Sequence, residues 1–223
     1  MTIGHHGHEH EFEPQHGLPE RLPGDERIVW QGAPDPGVLA RRAFHLRKLA
    51  LYFGLLLIWQ AASLAGGGLG MIDIALGLVW PAALAALALG SVALLAWLTA
   101  RTAVYTLTDK RVVMRIGIVL TLTFNLPLRT IESAALRRTA DGHGDLVLAL
   151  RGPDRIAYLH LWPHARPWRL GRPEPMLRAV PDAERVAREL SRVWAAANGQ
   201  DAVPSGTPAS VDTRSGQLQP SLG

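Results

Sequence analysis

LALYFGLLLIWQAASLA (49–65) and LVWPAALAALALGSVALLAWL (78–98) decide how the rest of the chain is read. They sit inside two uncharged runs, 49–72 and 74–100, interrupted only by Asp73. Each run exceeds the roughly 20 residues, at about 1.5 Å apiece, that cross a hydrocarbon core about 30 Å thick. Gly66, Gly67 and Gly68 break the helix between them. Trp80 and Trp97 lie 17 residues apart, about 25 Å of helix, which sets an indole near each interface of a bilayer. Pro81 is read as a first-turn proline, where its missing donor costs nothing. The first apolar run begins too late and both runs are too long for a signal peptide.

Working outward, Arg41, Arg42, Arg47 and Lys48 precede the first run. Arg101, Lys110, Arg111 and Arg115 follow the second, and the connection between the runs has no basic residue. The positive-inside rule therefore predicts a helical hairpin in the bacterial inner membrane with both termini cytoplasmic. Arg41, Arg42, Arg47, Lys48, Arg101, Lys110 and Arg111 are the candidates for the membrane surface, where each cation gains about 1 kcal/mol beside anionic lipid. A third span over VVMRIGIVLTLTFNL (112–126) is the competing topology. Arg115 and Asn125 make it costly, and its β-branched content favours strands. Ala82, Ala86 and Gly90, four residues apart, are candidates for a small-residue helix seam, against the plain alternative that alanine is abundant in this run.

The flanking segments differ in charge and texture. Residues 1–40 carry seven acids against Arg21 and Arg27. HHGHEH (5–10) has the ligand types of a loose divalent-metal site but no scaffold to set geometry, so it is read as a tail and no metal or other cofactor is assigned. FEPQHGLPERLPGDERIVWQGAPD (12–35) has four prolines, three glycines and little periodicity, and should be extended. Its apolar residues must dock elsewhere, either on the protein's own cytoplasmic domain or as a clasp on a partner. Phe12, Glu13, Pro14, Leu18, Pro19, Trp30, Gly32 and Pro34 are the partner-binding candidates.

After residue 101 the hydrophobic period shortens to that of strands. VYTLT (104–108) and RVVMRIG (111–117) flank an Asp109-Lys110 turn, and TLTFNLPL, TIESAALRRT, DLVLALRG and RIAYLHLW continue as strands. A Pro-rich loop over 162–181 follows. An amphipathic helix over 183–197 is then capped by Asp182, with a stripe of Val186, Leu190, Val193, Trp194 and Ala197. A small barrel or sandwich plugged by that helix is expected. The tail from 199 is Ser-, Gly-, Pro- and Gln-rich and is expected to be disordered.

YTLTDKRVVMRIG (105–117) and LPLRTIESA (126–134) resemble the bacterial pleckstrin-homology-like (PH-like) domain. The resemblance covers about 101–197 and implies a seven-stranded barrel with a C-terminal helix. FEPQHGLPERLPGDERIVWQGAPD (12–35) with AFHLRKLALYF (43–53) resembles the photosynthetic complex assembly protein family PuhB. That resemblance implies a factor that helps to build the reaction centre and its core light-harvesting complex. The resulting expectation is an α+β membrane protein in four parts. They are an N-terminal segment (1–48), a transmembrane hairpin (49–100), a PH-like domain (101–198) and a tail (199–223).

Catalysis is not expected. The chain has no cysteine, which removes thiol chemistry and thiolate metal sites. GGGLG (66–70) lacks the strand and spacing of a phosphate loop. His160 and His164 are spaced for a metal only on a helix, and Pro163 stands between them. The aspartates fall at turns, where aspartate is ordinary. From Arg101 onward 17 Lys or Arg face 11 Asp or Glu. That excess suits anionic lipid without a recognition helix for nucleic acid. Reaction-centre or core antenna subunits, inner-membrane lipids and a second copy of the chain are the expected partners. A membrane-anchored PH-like module reading lipid headgroups or a signalling partner is the main alternative, and metal delivery through the histidine tract a weaker one.

Overall fold

A computed structural model describes residues 17–18, 20–139, 141–152 and 156–199. The histidine tract, Phe12, Glu13, Pro14, Pro19 and the tail beyond 199 lie outside them. The two apolar runs form α2 (Leu46–Gly66) and α3 (Met71–Thr102), packed as an antiparallel hairpin. At 21 and 32 residues they measure about 31 and 48 Å. The seam between them follows alternating three- and four-residue steps. On α2 the half-buried residues include Leu46, Leu49, Phe53, Leu57, Gln60 and Leu64, and on α3 they include Ile74, Leu78, Ala82 and Val92, with Ala85 and Ala96 buried. The other faces are apolar and open: Leu55, Ile58, Trp59, Leu76, Trp80, Leu84 and Leu87 are all exposed. No residue of α2 is buried.

Pro81 is not a first-turn proline, because α3 starts ten residues before it and contains it. The helix begins early because Gly70 breaks the chain and Asp73 places a carboxylate in the first turn, where the helix dipole favours it. The i−4 carbonyl that Pro81 leaves without its donor belongs to Gly77, which packs so closely on α2 that an added Cβ would meet the Leu64 side chain at 2.9 Å.

Seven strands form two antiparallel sheets. The first has the order β1 (Ile28–Gly32), β2 (Val104–Thr108), β3 (Arg111–Ile116), β4 (Leu122–Pro127). The second has β5 (Ile131–Arg138), β6 (Gly144–Leu150), β7 (Met176–Val180). A 3₁₀ turn at Leu128–Thr130 carries the chain from one sheet to the other. Stretch 112–126, the competing third span, is thus β3, a loop and β4. Arg115 pairs in register with Thr123 and Val113 with Asn125. Inward Val112, Met114, Ile116 and Leu126 join Tyr105, Leu107, Ile131, Leu146 and Leu148 in one core. The helix α5 (Ala183–Ala197) lies across both sheets and buries Val186, Leu190 and Val193, with Trp194 donating its indole N–H to the Ile131 carbonyl at 2.9 Å.

Three local expectations are corrected. RIAYLHLW has no strand among its described residues, 156–162. Tyr158–Leu161 is a helical turn, α4, which sends Tyr158 and Leu161 inward at a three-residue spacing and leaves Leu159 exposed. The last strand instead comes from MLRAV, inside the stretch read as loop, because burial against β6 overrides the prolines around it. Asp182 does occupy the N-cap of α5 but makes no side-chain cap, since its positive φ of 47° turns the carboxylate away from the first amides.

The strand β1 has the largest consequence. It precedes the hairpin in sequence, yet it pairs with β2, which follows the hairpin, with Gly32 opposite Tyr105 and Ile28 opposite Thr108. Both ends of the hairpin are therefore stitched into one sheet. Asp35 then caps the short helix α1 (Pro36–Arg42), accepting from the Val38 amide at 2.8 Å. Val38 and Leu39 pack with Ala100 of α3 and Ala179 of β7, with Phe44 alongside, in a second small core. This is the joint between helices and sandwich.

Candidate functional site

A concavity lies at that joint. It is a cleft of about 810 Å³ between α1, the first turn of α2, β5, β6 and the loop 162–168. Five cationic residues line it, Arg42, Lys48, Arg137, Arg166 and Arg178, with a single carboxylate, Asp145. That carboxylate is already engaged. At the irregularity between Gly144 and Leu146 its Oδ1 accepts the Ala179 amide at 3.0 Å, and Oδ2 stands 3.9 Å from Arg42. Arg42 also donates to Thr139 Oγ1, and Arg166 pairs with Glu174 at 2.8 Å. Among the described residues, neither Lys48 nor Arg137 has an ion pair. Arg178 is largely buried, its Nε lacks a hydrogen-bond acceptor, and burial holds its pKa below the usual arginine value.

Aromatic residues form the rim. Trp162 packs edge-on against Phe44 with ring centres 5.5 Å apart, and Trp168 is 93% exposed. Four non-glycine residues among those described adopt positive φ, and three of them, His45, Trp168 and Ala179, line this cleft. Backbone strain of this kind gathers at ligand clamps and switch regions.

Beneath the cleft, inside the sandwich, Tyr105 Oη stands 2.6 Å from His164 Nδ1 and accepts the Arg178 amide at 3.2 Å. With that amide donating to it, the phenol is best satisfied by donating its own proton to a neutral imidazole. Burial, helped by the Arg178 charge, pushes His164 down to about 3, and burial pushes the Tyr105 hydroxyl up. His160 is exposed, so the two histidines do not share a metal site.

The sequence candidates distribute unevenly. Leu18 and Pro34 are buried and Trp30 is half-buried against the main core, with Gly32 beneath its ring. The described part of this segment thus docks on the protein's own sandwich. Of the membrane-surface candidates, Arg42 and Lys48 reach the cleft. Arg47 is exposed on the first turn of α2, Arg41 donates to the Gly37 carbonyl, and Arg101 sits 5.2 Å from the Trp97 ring centre. Lys110 and Arg111 are elsewhere, at the β2–β3 tip, a strand length from α3. There Lys110 pairs with Asp25, and Arg111 holds Glu26 through two bonds of 2.8 and 2.9 Å. In the candidate seam only Ala82 turns toward α2, while Ala86 and Gly90 are exposed. A strict four-residue step rotates about 40° each time, so the row winds off the hairpin interface.

Sequence reasoning missed His45, Arg137, Arg166, Arg178, Trp162 and Trp168. The interleaving of tryptophan and arginine in LWPHARPWRLGR (161–172) was the available signal.

Comparison with known proteins adds the family. The bacterial PH domain profile matches residues 49–194, so it takes in the helical hairpin as well as most of the sandwich. An uncharacterized 23.7 kDa protein in the puhA 5′ region of Rhodobacter capsulatus is 40% identical over 185 residues, 82% of this chain and 86% of that protein. No solved structure matches. On the extent of the profile match and of this identity, the chain belongs to the bacterial PH domain family.

Proposed function

We propose that the protein is a non-catalytic assembly factor of the bacterial inner, intracytoplasmic membrane, acting on the photosynthetic reaction centre and its core light-harvesting complex. The observation that carries this reading is the 40% identity, over 82% of the chain, to a protein of the puhA 5′ region in a purple bacterium. It agrees with the family resemblance of 12–35 and 43–53. The hairpin supplies the means. Its outward faces are apolar and exposed along lengths that suit a bilayer, and Ala86 and Gly90 leave a shallow track for a subunit helix. Pairing of β1 with β2 requires both ends of the hairpin on one side, which suits an even number of spans with cytoplasmic termini.

Two experiments test it. Purification of the full chain in mild detergent from cells that are building photosystems should recover newly inserted reaction-centre or core antenna subunits in less than stoichiometric amounts. Recovery of none would contradict the reading. A reporter active only in the periplasm should be silent after Arg101 or Gly199 and active near Gly68; activity at Gly199 alone would require another span.

The basic cleft favours a second reading, a membrane-anchored module that reads lipid headgroups or a signalling partner. Growth separates the two, since an assembly factor matters only while photosynthetic complexes are being made.

A further inference from the structure

We infer that the cleft at the joint holds the phosphate of an anionic glycerophospholipid whose acyl chains lie along α2. The inference deepens the second reading above by naming the lipid and its site; it rests on α2 and α3 being membrane spans and does not depend on what the protein assembles.

Position comes first. His45 and Lys48 line the cleft and belong to the N-cap and first turn of α2. The cleft therefore opens where α2 enters the apolar layer, at the depth of the headgroups. The rim agrees with that depth. Trp162 is held against Phe44, one residue before the cap of α2, Trp168 of the lining is 93% exposed, and Leu159 and Leu170 on the same stretch of chain are 83% and 67% exposed. An aqueous surface gains nothing from such a cluster, whereas the membrane interface favours tryptophan.

A second apolar tip faces the same way. Val104, just past the end of α3, pairs with Arg115, so the loop after β3 returns to the helix end of the sheet. That loop presents Val119 and Leu120 at 91% and 79% exposure. Gly117 turns it with φ of +123°, where a Cβ would strike the Leu120 carbonyl. Two apolar tips beside the helix ends would rest the sandwich on the bilayer, with the cleft against the headgroups.

Chemistry selects the ligand. Five cations against one occupied carboxylate make a concave site for an anion. Arginine forks match phosphate oxygens. Lys48 and Arg137, which have no ion pair among the described residues, supply uncommitted charge. From the mouth, the exposed Tyr52, Leu55 and Trp59 on α2 offer an apolar path for the chains. Free inorganic phosphate shares the headgroup chemistry but would use neither the aromatic rim nor this path.

The test uses the full chain in lipid nanodiscs, with native mass spectrometry of lipids retained on release. Phosphatidylglycerol should be kept over phosphatidylcholine by about tenfold or more, and the double variant Lys48→Ala, Arg137→Ala should lose that preference while its circular dichroism stays unchanged. Lys48→Arg should keep it. Equal retention of the two lipids, an unaffected double variant, or displacement by millimolar inorganic phosphate would each overturn the inference. A chain that fails to enter nanodiscs would instead refute the spans. Displacement of phosphatidylglycerol by an acidic peptide but not by phosphate would assign the cleft to a protein partner and overturn the lipid.

Discussion

The hairpin and the sandwich draw on similar apolar side chains and use them in opposite ways. Every residue of β2 is buried, while α2, four times as long, buries none. In the sandwich, apolar groups leave water by meeting each other, and each buried leucine stabilises the fold by about 2 kcal/mol. In the hairpin they have nothing to meet except the narrow seam, so their free energy is gained only from a surrounding apolar phase or a partner helix. One region carries its own solvent; the other requires one.

Substitution should break that symmetry most sharply. Leu148→Ala, in the core, is expected to cost about 3 kcal/mol in chemical denaturation of the detergent-solubilised protein. Leu87→Ala, on the outward face of α3, should cost less than about 0.5 kcal/mol. Equal costs would mean that α3 is packed against something not accounted for.

The next effect concerns the stitch between the regions. Arg111→Ala leaves Glu26 buried and without its bidentate partner, and should destabilise by about 2–3 kcal/mol. Protease cleavage ahead of β1 should become faster, because Glu26 adjoins the strand that closes the sheet. Trp30→Ala should act in the same direction, through lost packing on the core, and a variant of normal stability would free Trp30 for a partner.

Acid should then separate the regions. His164 is neutral in the folded sandwich down to about pH 3, whereas unfolded it titrates near 6.5. The unfolded chain therefore binds more protons between those values. This contribution to stability is intact above about pH 6.5 and is lost as the pH falls toward 3, by up to about 1.4 kcal/mol per unit. Thermal unfolding from pH 7 to 5 should show the sandwich weakening and the helical signal of the hairpin persisting. His164→Asn should flatten the slope. A single hydrogen bond is tested by Trp194→Phe, which removes the bond to the Ile131 carbonyl and should cost about 1 kcal/mol.

How much of this could be read beforehand follows from the same contrast. The two long apolar helices and α5 were legible because each carries a signal within its own residues: an uncharged run of bilayer length, and a 3.6-residue stripe ending in Ala197. The strands 104–108, 111–116 and 144–150 were legible from alternation and turns. MLRAV and RIAYLHLW exchanged roles because short segments take their conformation from what packs on them. The cleft was illegible for a related reason. Arg42, Arg137 and Arg178 are far apart in sequence and meet only because β1 folds back across the hairpin and brings α1 to β7.

Assembly in the photosynthetic membrane is the central proposal. The direct measurement is the amount of reaction centre and core antenna, by membrane absorption spectra, in a strain lacking this gene, grown with and without induction of photosynthesis. The prediction is a reduced amount of complexes with ordinary spectra and thermal stability, slower phototrophic growth and normal respiratory growth. Unchanged amounts, or an equal defect under respiration, would contradict it.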